Sequence, residues 1–308
     1  MKNFLQLIVL TTIIIVSLTA CSEQQRSDIM RKIKEKQFEN GIKKLPTHNE
    51  PMPEYPQIEF PSELSREEIN KNIWYVNRQV VQNVNRTIYF SKNKHEDGER
   101  DLVQNREDSE YYRNIYGVTV NGDCAVQDFY SENDQKQMEL VIIKKNECES
   151  WKSKPFDGMA IWYDKDGKIN KEQGIAWLNK GELERYIEEN KQTQEIIYSK
   201  RNIRPNIHKT ISVSIENIPN IKRSAAIECE YNEKENKIEK VILFHADNMV
   251  TKVRFVDNKL DPSQSILWTA QGKGHISSIK QEMVEPIQNL AWRICGVKNE
   301  QSAENKIE

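Results

Sequence analysis

The chain has 308 residues, 45 of them Lys or Arg and 47 Asp or Glu, which gives a formal net charge of -2. This near-neutral balance excludes a protein that binds nucleic acid through bulk positive charge. The 11 glycines are few for an α/β enzyme that binds nucleotides, because such enzymes need glycine where the backbone approaches phosphate. Aromatic residues make up 8% of the chain and can build a core.

Residues 1–20 predict an export signal. Lys2 forms a short positive region, and an apolar stretch runs from Phe4 to Leu18 with no acidic residue before Glu23. The stretch is too short and too weakly flanked for a membrane span, but it has the length of a signal peptide.

The signal ends in Leu18-Thr19-Ala20-Cys21, which resembles the bacterial lipobox. The resemblance implies that cleavage exposes Cys21, that diacylglycerol and palmitate modify it, and that membrane lipid is therefore a partner. Ser22 stands where Asp usually marks retention in the inner membrane, so the resemblance favours the outer membrane, with the protein facing the periplasm or the cell surface. The alternative is an ordinary signal peptide followed by a chance cysteine.

Residues 21–63 predict a lipid-anchored tether. Residues 22–45 carry seven Lys or Arg and four acidic residues, which either rest on anionic headgroups or stay solvated. Half of all prolines then fall within 16 residues, at Pro46, Pro51, Pro53, Pro56 and Pro61. Because proline fixes φ and lacks an N–H, this part should be extended and stiff, and should lift a folded body off the membrane.

An N-terminal α+β half is predicted at 64–200. Ser65 and Glu68 have capping-box spacing before an amphipathic helix that carries Ile69, Ile73, Val76 and Val80. Strands follow at 87–91, 116–120, 124–130 and 138–143. Asn121-Gly122 predicts a type I′ hairpin turn, and alternation places Val118, Val120, Cys124, Val126 and Tyr130 on one face.

Residues 157–183 resemble the antiparallel hairpin repeat of MORN-like lipoproteins. An aromatic strand meets the turn Asp166-Gly167, and a second aromatic strand ends near Asn179-Lys180-Gly181. The resemblance implies a β-meander, in which each hairpin buries its aromatic row against the next. Leu183, Tyr186 and Ile187 then have helical spacing and predict a short amphipathic helix.

A C-terminal β-meander half is predicted at 201–298, with a polar tail at 299–308. Strands at 210–215, 225–231, 237–244, 251–256 and 265–269 are separated by polar turns. Pro286 opens a final helix that ends at Gly296. The predicted fold class is therefore mainly β, with antiparallel β-meander sheets and a few short helices (α+β), braced by disulfides.

Four cysteines remain after Cys21, namely Cys124, Cys148, Cys229 and Cys295. An even number in an exported protein favours disulfides, and three pairings exist. Pairing within each half favours Cys124–Cys148 and Cys229–Cys295, although Cys148 could also be free. No cysteine or histidine spacing fits a metal site, so neither a metal nor another cofactor is predicted.

Signatures of nucleophilic catalysis are missing from the sequence, and no catalytic residue or enzymatic activity is predicted. An envelope hydrolase acting on glycan or lipid is the alternative. It requires two or more of Glu182, Glu184, His245 and His275 to converge in a pocket.

The favoured function is a non-catalytic, lipid-anchored module that binds an unknown envelope or toxin protein, and does not bind nucleic acid. One version is an immunity protein against a toxin that enters the periplasm, by analogy with repeat proteins that accompany toxin systems. A structural lipoprotein that helps to assemble the envelope is the remaining alternative.

Overall fold

The structure is a computed structural model that describes residues 46–218 and 221–297, without the side chains of 215–224. The predicted signal peptide, Cys21, residues 22–45 of the tether and the polar tail lie outside the described residues. Two helices are described, α1 (Arg66–Asn77) and α2 (Gln281–Cys295). Within the described ranges, no helix combines the length and the apolar character needed to cross a membrane.

The strands form two antiparallel sheets, which confirms the predicted mainly-β fold class. A five-stranded sheet contains β2 (Val80–Ser91), β3 (Leu102–Val103), β4 (Ser109–Thr119), β5 (Cys124–Tyr130) and β6 (Lys136–Ile143), in the order β3-β2-β4-β5-β6. A single 3-10 turn at Arg106–Asp108 precedes β4.

The second sheet has eleven strands, which follow one another as a meander. They are β1 (Thr47–His48), β7 (Gly158–Ile161), β8 (Ile175–Asn179), β9 (Glu182–Asn190), β10 (Glu195–Arg201), β11 (Ile207–Ile218), β12 (Ile221–Asn232), β13 (Lys237–Phe244), β14 (Val250–Val256), β15 (Lys259–Trp268) and β16 (Gly274–Ser277). Their spatial order runs from β7 to β16 without interruption, and β1 pairs with the outer edge of β16.

The predicted capping box starts α1. Ser65 Oγ accepts a hydrogen bond from the Glu68 N–H, and the Ser65 N–H donates to the Glu68 carboxylate, both at 3.2 Å. The helix buries Val76 against Leu140 and Ile142 of β6. It therefore covers part of one face of the five-stranded sheet.

Two local predictions about turns need correction. The hairpin between β4 and β5 forms, but Gly122 alone has a positive φ, 82°, whereas a type I′ turn requires positive φ at both central residues. The loop is one residue longer than predicted, and Val120 lies in it, exposed, rather than on the buried face. At the second hairpin, Lys180 and Gly181 both have positive φ, as a type I′ turn requires.

Residues 182–190 form strand β9 and not the predicted amphipathic helix. The helical spacing of Leu183, Tyr186 and Ile187 arises because a bulge between Trp177 and Leu178 shifts the register of β8 against β9. Leu183 and Tyr186 pack on the core of the five-stranded sheet, while Ile187 faces the opposite cluster with Ile161. Short apolar runs do not separate helix from strand by periodicity alone.

Helix α2 begins at Gln281, five residues before the predicted start, so Pro286 lies inside it. The predicted end is confirmed, since Gly296 takes the left-handed conformation with φ 73°. The helix places Ala291 and Ile294 on a buried cluster that includes Val241 of β13.

The structure differs from the predicted stalk for residues 46–63. Residues 46–64, called here the strap, run across one face of the eleven-stranded sheet from its β16 edge towards β7. Thr47 pairs with His275, Tyr55 contacts Phe244 edge-on at 5.5 Å, and Phe60 is buried with Ile161. The segment is extended, as its prolines require, but it is part of the folded body.

The predicted division at 200/201 does not separate two sheets. β10 pairs with β11 across it, with Glu195 opposite Ser214. The change of sheet falls earlier, between β6 and β7. The expected halves are therefore one continuous meander and a smaller sheet that packs on it, through Val141 and Ala160 among other residues.

Both favoured cysteine pairs are present. Cys124 and Cys148 form a disulfide with an S–S distance of 2.07 Å, and it ties the loop after β6 to β5. Cys229 and Cys295 form the second, with Cα atoms 5.4 Å apart, and it ties α2 to β12.

Candidate functional site

The four side chains proposed for a hydrolase do not converge. Glu182 and Glu184 lie on β9, His245 follows β13 and His275 lies on β16. Four strand steps separate β9 from β13 and seven separate it from β16, which amounts to about 19 Å and 34 Å along the sheet at about 4.8 Å per step. His245 instead bonds Thr251 Oγ1 at 2.9 Å as part of a strand turn.

The structure also contains a Ser–His contact that was not predicted from the sequence. Ser199 Oγ and His208 Nε2 lie 2.5 Å apart on neighbouring strands β10 and β11. Burial and then the charge of Arg201 lower the pKa of His208, which keeps its ring neutral. The pair lies on a sheet face, and the carboxylate of Glu233, which acts on the charge of His208, is paired with Arg201 at 3.0 Å. These two residues meet because of the register of β10 against β11, which cannot be predicted from the residue types alone.

A shallow groove of about 400 Å³ lies between α1 and the strands β7 and β8. It contains Tyr75, whose hydroxyl donates to the buried Asp157 carboxylate at 3.0 Å. Burial and this carboxylate raise the pKa of Tyr75, so the phenol stays protonated. Glu184 lines the same groove and accepts a hydrogen bond from Asn179, while Glu68 is held in the capping box. In the part of the chain that the structure describes, no group of His, Cys, Asp or Glu could hold a metal ion.

Exposed apolar side chains gather at the start of β2. Val81 is 68% exposed and Val120 is 82% exposed, and each is next to the cross-strand pair formed by Val80 and Thr119. Trp74, 59% exposed with Arg78 stacked 4.7 Å over its ring, lies near the end of α1, which leads directly into β2. Together with Val84 and with Leu102, which lies opposite Phe90 near the other end of β2, these residues are called here the β2 surface.

The outer edge of β2 is open along most of its length. The short strand β3 pairs only with Tyr89 and Phe90, and among the described residues no other strand lies beyond β2. All seven residues from Val81 to Thr87 are exposed. Arg86 is the single charged residue among them, and Glu149 neutralises it.

A groove of about 670 Å³ adjoins this edge. Its floor is apolar and consists of Ile115, Val118 and the disulfide of Cys124 with Cys148, and Val84 lines its side. Eight of the fourteen lining residues are polar or charged, so the groove is an apolar patch inside a polar rim, where an apolar side chain can pack.

The acidic residues at the rim of the groove already have partners. Glu99 accepts hydrogen bonds from the Trp151 N–H at 2.7 Å and from Ser150 Oγ at 3.0 Å. Burial acts to raise the pKa of Glu99, but these bonds outweigh it and the net pKa is lowered. Asp101 lies 3.1 Å from His95 Nε2.

Two of the three cations at the rim also have partners. Arg100 pairs with Glu110 at 2.8 Å, and Arg86 pairs with Glu149. Lys145 lines the groove without forming a salt bridge to any described residue. The rim therefore offers one unneutralised positive charge beside an apolar floor.

No protein-family profile, curated protein or solved structure matches the chain.

Proposed function

We propose that this protein is a lipid-anchored lipoprotein of the bacterial envelope and that it acts as a non-catalytic module that binds another protein through the β2 surface. The observation that carries the proposal is the open, nearly uncharged edge of β2 with exposed valines on it. Soluble proteins usually protect such an edge with charges or proline, or cover it, because it pairs readily with another chain. The exposed Trp74, near the end of the helix that leads into β2, adds a residue type that is enriched at the energetically important positions of protein interfaces.

The lipobox-like motif at Cys21 supports the anchored location, with the outer membrane facing the periplasm as the favoured site. The partner is then an envelope protein or a toxin that crosses the periplasm. An immunity protein binds such a toxin and protects the cell, whereas an assembly lipoprotein binds a resident envelope component. The identity of the captured partner decides between these two roles.

Photo-crosslinking in cells tests the binding surface. A photoreactive amino acid replaces Val81 in one strain and Val256 in another, since Val256 is also an exposed valine, 46% against 68% for Val81, on β14 of the other sheet. We expect one dominant crosslinked protein from position 81 and none from position 256. Equal capture at both positions, or no capture at position 81, would contradict a protein-binding role for the β2 surface.

Mass spectrometry of the mature protein tests the anchor separately. We expect the acylated mass at Cys21, and release of the Cys21→Ser variant from membranes. An unmodified thiol at Cys21 in protein purified from membranes would contradict lipid anchoring and leave the binding test unaffected.

A further inference from the structure

We infer that β2 accepts an extended segment of its protein partner as an added strand, with an apolar side chain of that segment in the adjoining groove and an acidic side chain beside Lys145. This inference rests on the proposed function and names the mode of binding and the chemistry of the partner.

The first step concerns the backbone. An added strand makes hydrogen bonds to main-chain groups, so it needs an edge that is both unpaired and exposed. β3 shows where such a strand lies, because it already occupies this position opposite Tyr89 and Phe90, and its end at Val103 is the one directed towards the open part of β2. A partner segment that continues the line of β3 would cover the exposed residues 81–87.

The irregularity of β2 limits the length of that segment. Its register against β4 shifts between Val80 and Gln82 and again between Asn83 and Arg86, and Asn85 has a positive φ of 51°. Bulges of this kind twist a strand and oppose long edge-to-edge association. The edge therefore suits a short segment that is selected by its side chains, and not indiscriminate sheet growth.

The second step concerns those side chains. Alternate residues of an added strand point to the same face, so one face of the segment meets the groove whose side is formed by Val84. The apolar floor of Ile115, Val118 and the disulfide favours an aliphatic or aromatic side chain there. A small amphiphile would use the same floor but would leave the neighbouring edge of β2 without a partner.

The third step concerns charge. Every acidic residue that lines the groove is engaged within the protein, by Trp151 and Ser150 at Glu99, by His95 at Asp101 and by Arg86 at Glu149. The ammonium group of Lys145 forms no salt bridge in the described ranges, and only the backbone N–H of this residue donates to a carboxylate, that of Asp123 at 3.1 Å. A hydrogen bond to a charged group contributes more than a neutral one, so an acidic residue next to the apolar one would be selected.

The test uses the full-length acylated protein in nanodiscs and a displayed library of heptapeptides in which threonine alternates with random residues. We expect the selected peptides to share an apolar residue and, at an alternate position, Asp or Glu. When the same library is selected on the Lys145→Glu variant, the selected peptides should carry Lys or Arg in place of the acidic residue. Selection of the same sequences by both proteins, or no saturable binding at about 1 mM peptide, would overturn the inference.

Two measurements on a selected peptide establish strand addition. Hydrogen exchange of residues 81–87 should slow when the peptide binds. N-methylation of one alternate set of peptide amides should abolish binding, while methylation of the other set is tolerated, because only one edge of an added strand faces β2. Tolerance of both sets would contradict strand addition.

Variants of the protein provide the matched control. Val84→Lys should weaken peptide binding by at least about tenfold, the scale of one good contact, and Val256→Lys should leave it unchanged. Both valines are exposed, so both variants should keep the unfolding midpoint of the parent. Equal binding by the two variants would count against the groove.

Other occupants give different results. If decanoate occupies the groove and displaces the peptide without slower exchange in β2, the groove is a small-molecule site. If exchange slows in the protein alone as its concentration rises, a second copy occupies the edge. Either result overturns the inference but not the proposed function, which fails only if position 81 captures no partner in cells.

Discussion

Arg113 is an almost completely buried charged side chain in the five-stranded sheet, with 1% of its side chain exposed. Its guanidinium donates to both carboxylate oxygens of Asp128 at 2.7 Å, in the bidentate geometry that gives the strongest ion pairs. A third nitrogen donates to the backbone oxygens of Cys148 and Ser150 and to Ser153 Oγ. One side chain therefore joins β4, β5 and the loop that carries the disulfide.

Replacement of Arg113 by Met should lower the free energy of unfolding by about 3–5 kcal/mol, because it leaves the Asp128 carboxylate buried without a partner. The double variant Arg113→Met, Asp128→Leu should recover part of this loss, since no buried charge remains. Urea denaturation measures both. Arg86→Met is the control, because the pair of Arg86 with Glu149 is half exposed and should be worth about 0–1 kcal/mol. A loss at Arg113 no larger than that at Arg86 would contradict the argument.

Burial and hydrogen bonding have opposite effects on the pKa of Glu228. Its carboxylate accepts hydrogen bonds from Lys209 at 2.7 Å and Lys240 at 2.8 Å, across three neighbouring strands. Burial acts to raise the pKa of Glu228, but the two ammonium groups outweigh it, so the pKa in the folded protein is lowered. The folded state therefore holds the proton of Glu228 less tightly than the unfolded chain.

A lowered pKa means that Glu228 stabilises the fold at pH values above its unfolded pKa of about 4.3, and that this contribution disappears as the pH falls through the folded pKa. Glu228→Gln should lower the free energy of unfolding at pH 7 by about 1.5–3 kcal/mol, the range for hydrogen bonds to a charged group. The difference from wild type should shrink steadily below about pH 5. Urea titrations at several pH values, with the exposed Glu235→Gln as a reference, would show whether the difference stays constant instead.

Contacts between individual side chains could be predicted from the sequence only where the residue type determines the chemistry. Cysteine has one common fate in an exported protein, so Cys124 and Cys148 were identified as a pair. Arg113 and Asp128 carry no such signal, because their contact depends on the register of β4 against β5. The open edge of β2 was missed for the same reason, since only the pairing of strands shows that Val81 has no neighbour on one side.

At the scale of elements, the strap shows how proline-rich sequence can be structural. It crosses apolar side chains, where an unsatisfied N–H would be costly, and proline has none. Glu50 fixes its start, through a hydrogen bond from Trp268 Nε1 to its backbone oxygen at 3.0 Å and a salt bridge to Lys252 at 2.9 Å. Tyr55 and Phe60 then continue the row of contacts along the sheet.

If the strap belongs to the folded body, truncation of its buried side chain must destabilise the whole protein. Phe60→Ala should cost about 3–5 kcal/mol, the usual range for a large core residue. Gln57→Ala, at an exposed position three residues earlier, should cost less than about 0.5 kcal/mol. Chemical denaturation followed by intrinsic fluorescence compares the two. An effect of Phe60→Ala as small as that of Gln57→Ala would contradict the placement of the strap in the folded body and would favour the predicted free stalk.

The type of an element was predicted correctly where two sequence signals agreed, and the prediction was wrong where it depended on one signal. Ser65 and Glu68 reinforced the periodicity of α1, and the helix starts where they predict, but it ends at Asn77, and Val80, which was predicted on the helix, begins β2. For Leu183 and Tyr186 the three-residue spacing was the single signal of a helix, and it arises instead from a β-bulge. The start of α2 was missed because Pro286 was given the first turn, whereas the helix has already begun at Gln281.

At the scale of the molecule, the two sheets share a core. Ala160 and Ala176 of the larger sheet lie in one cluster with Phe90 and Val141 of the smaller sheet. Asn72 adds a polar link, because its side-chain amide donates to Leu140 O and accepts from the Met159 N–H. A domain boundary could not be predicted from the sequence, because the polar loop between β6 and β7 has the composition of many linkers yet joins two sheets that are bridged side by side, at Met138 with Trp162 and at Ile142 with Asp157, and share a core.

A shared core implies that loss of either disulfide destabilises the whole molecule. In the chain-entropy model, the sequence separations of 24 and 66 residues correspond to about 3.5 and 4.3 kcal/mol for the pairs of Cys124 and Cys229, respectively. Alanine replacement of both cysteines of a pair should therefore lower the free energy of unfolding by about those amounts, more for Cys229 and Cys295. In each variant calorimetry should show one transition at a lower temperature, because the sheets cannot unfold separately without exposing Ala160 and Val141. Hydrogen exchange provides the decisive comparison: if loss of the Cys124 pair accelerates exchange only in β2 to β6 and leaves β11 to β15 at their original rates, the sheets are independent units and the shared core does not couple them.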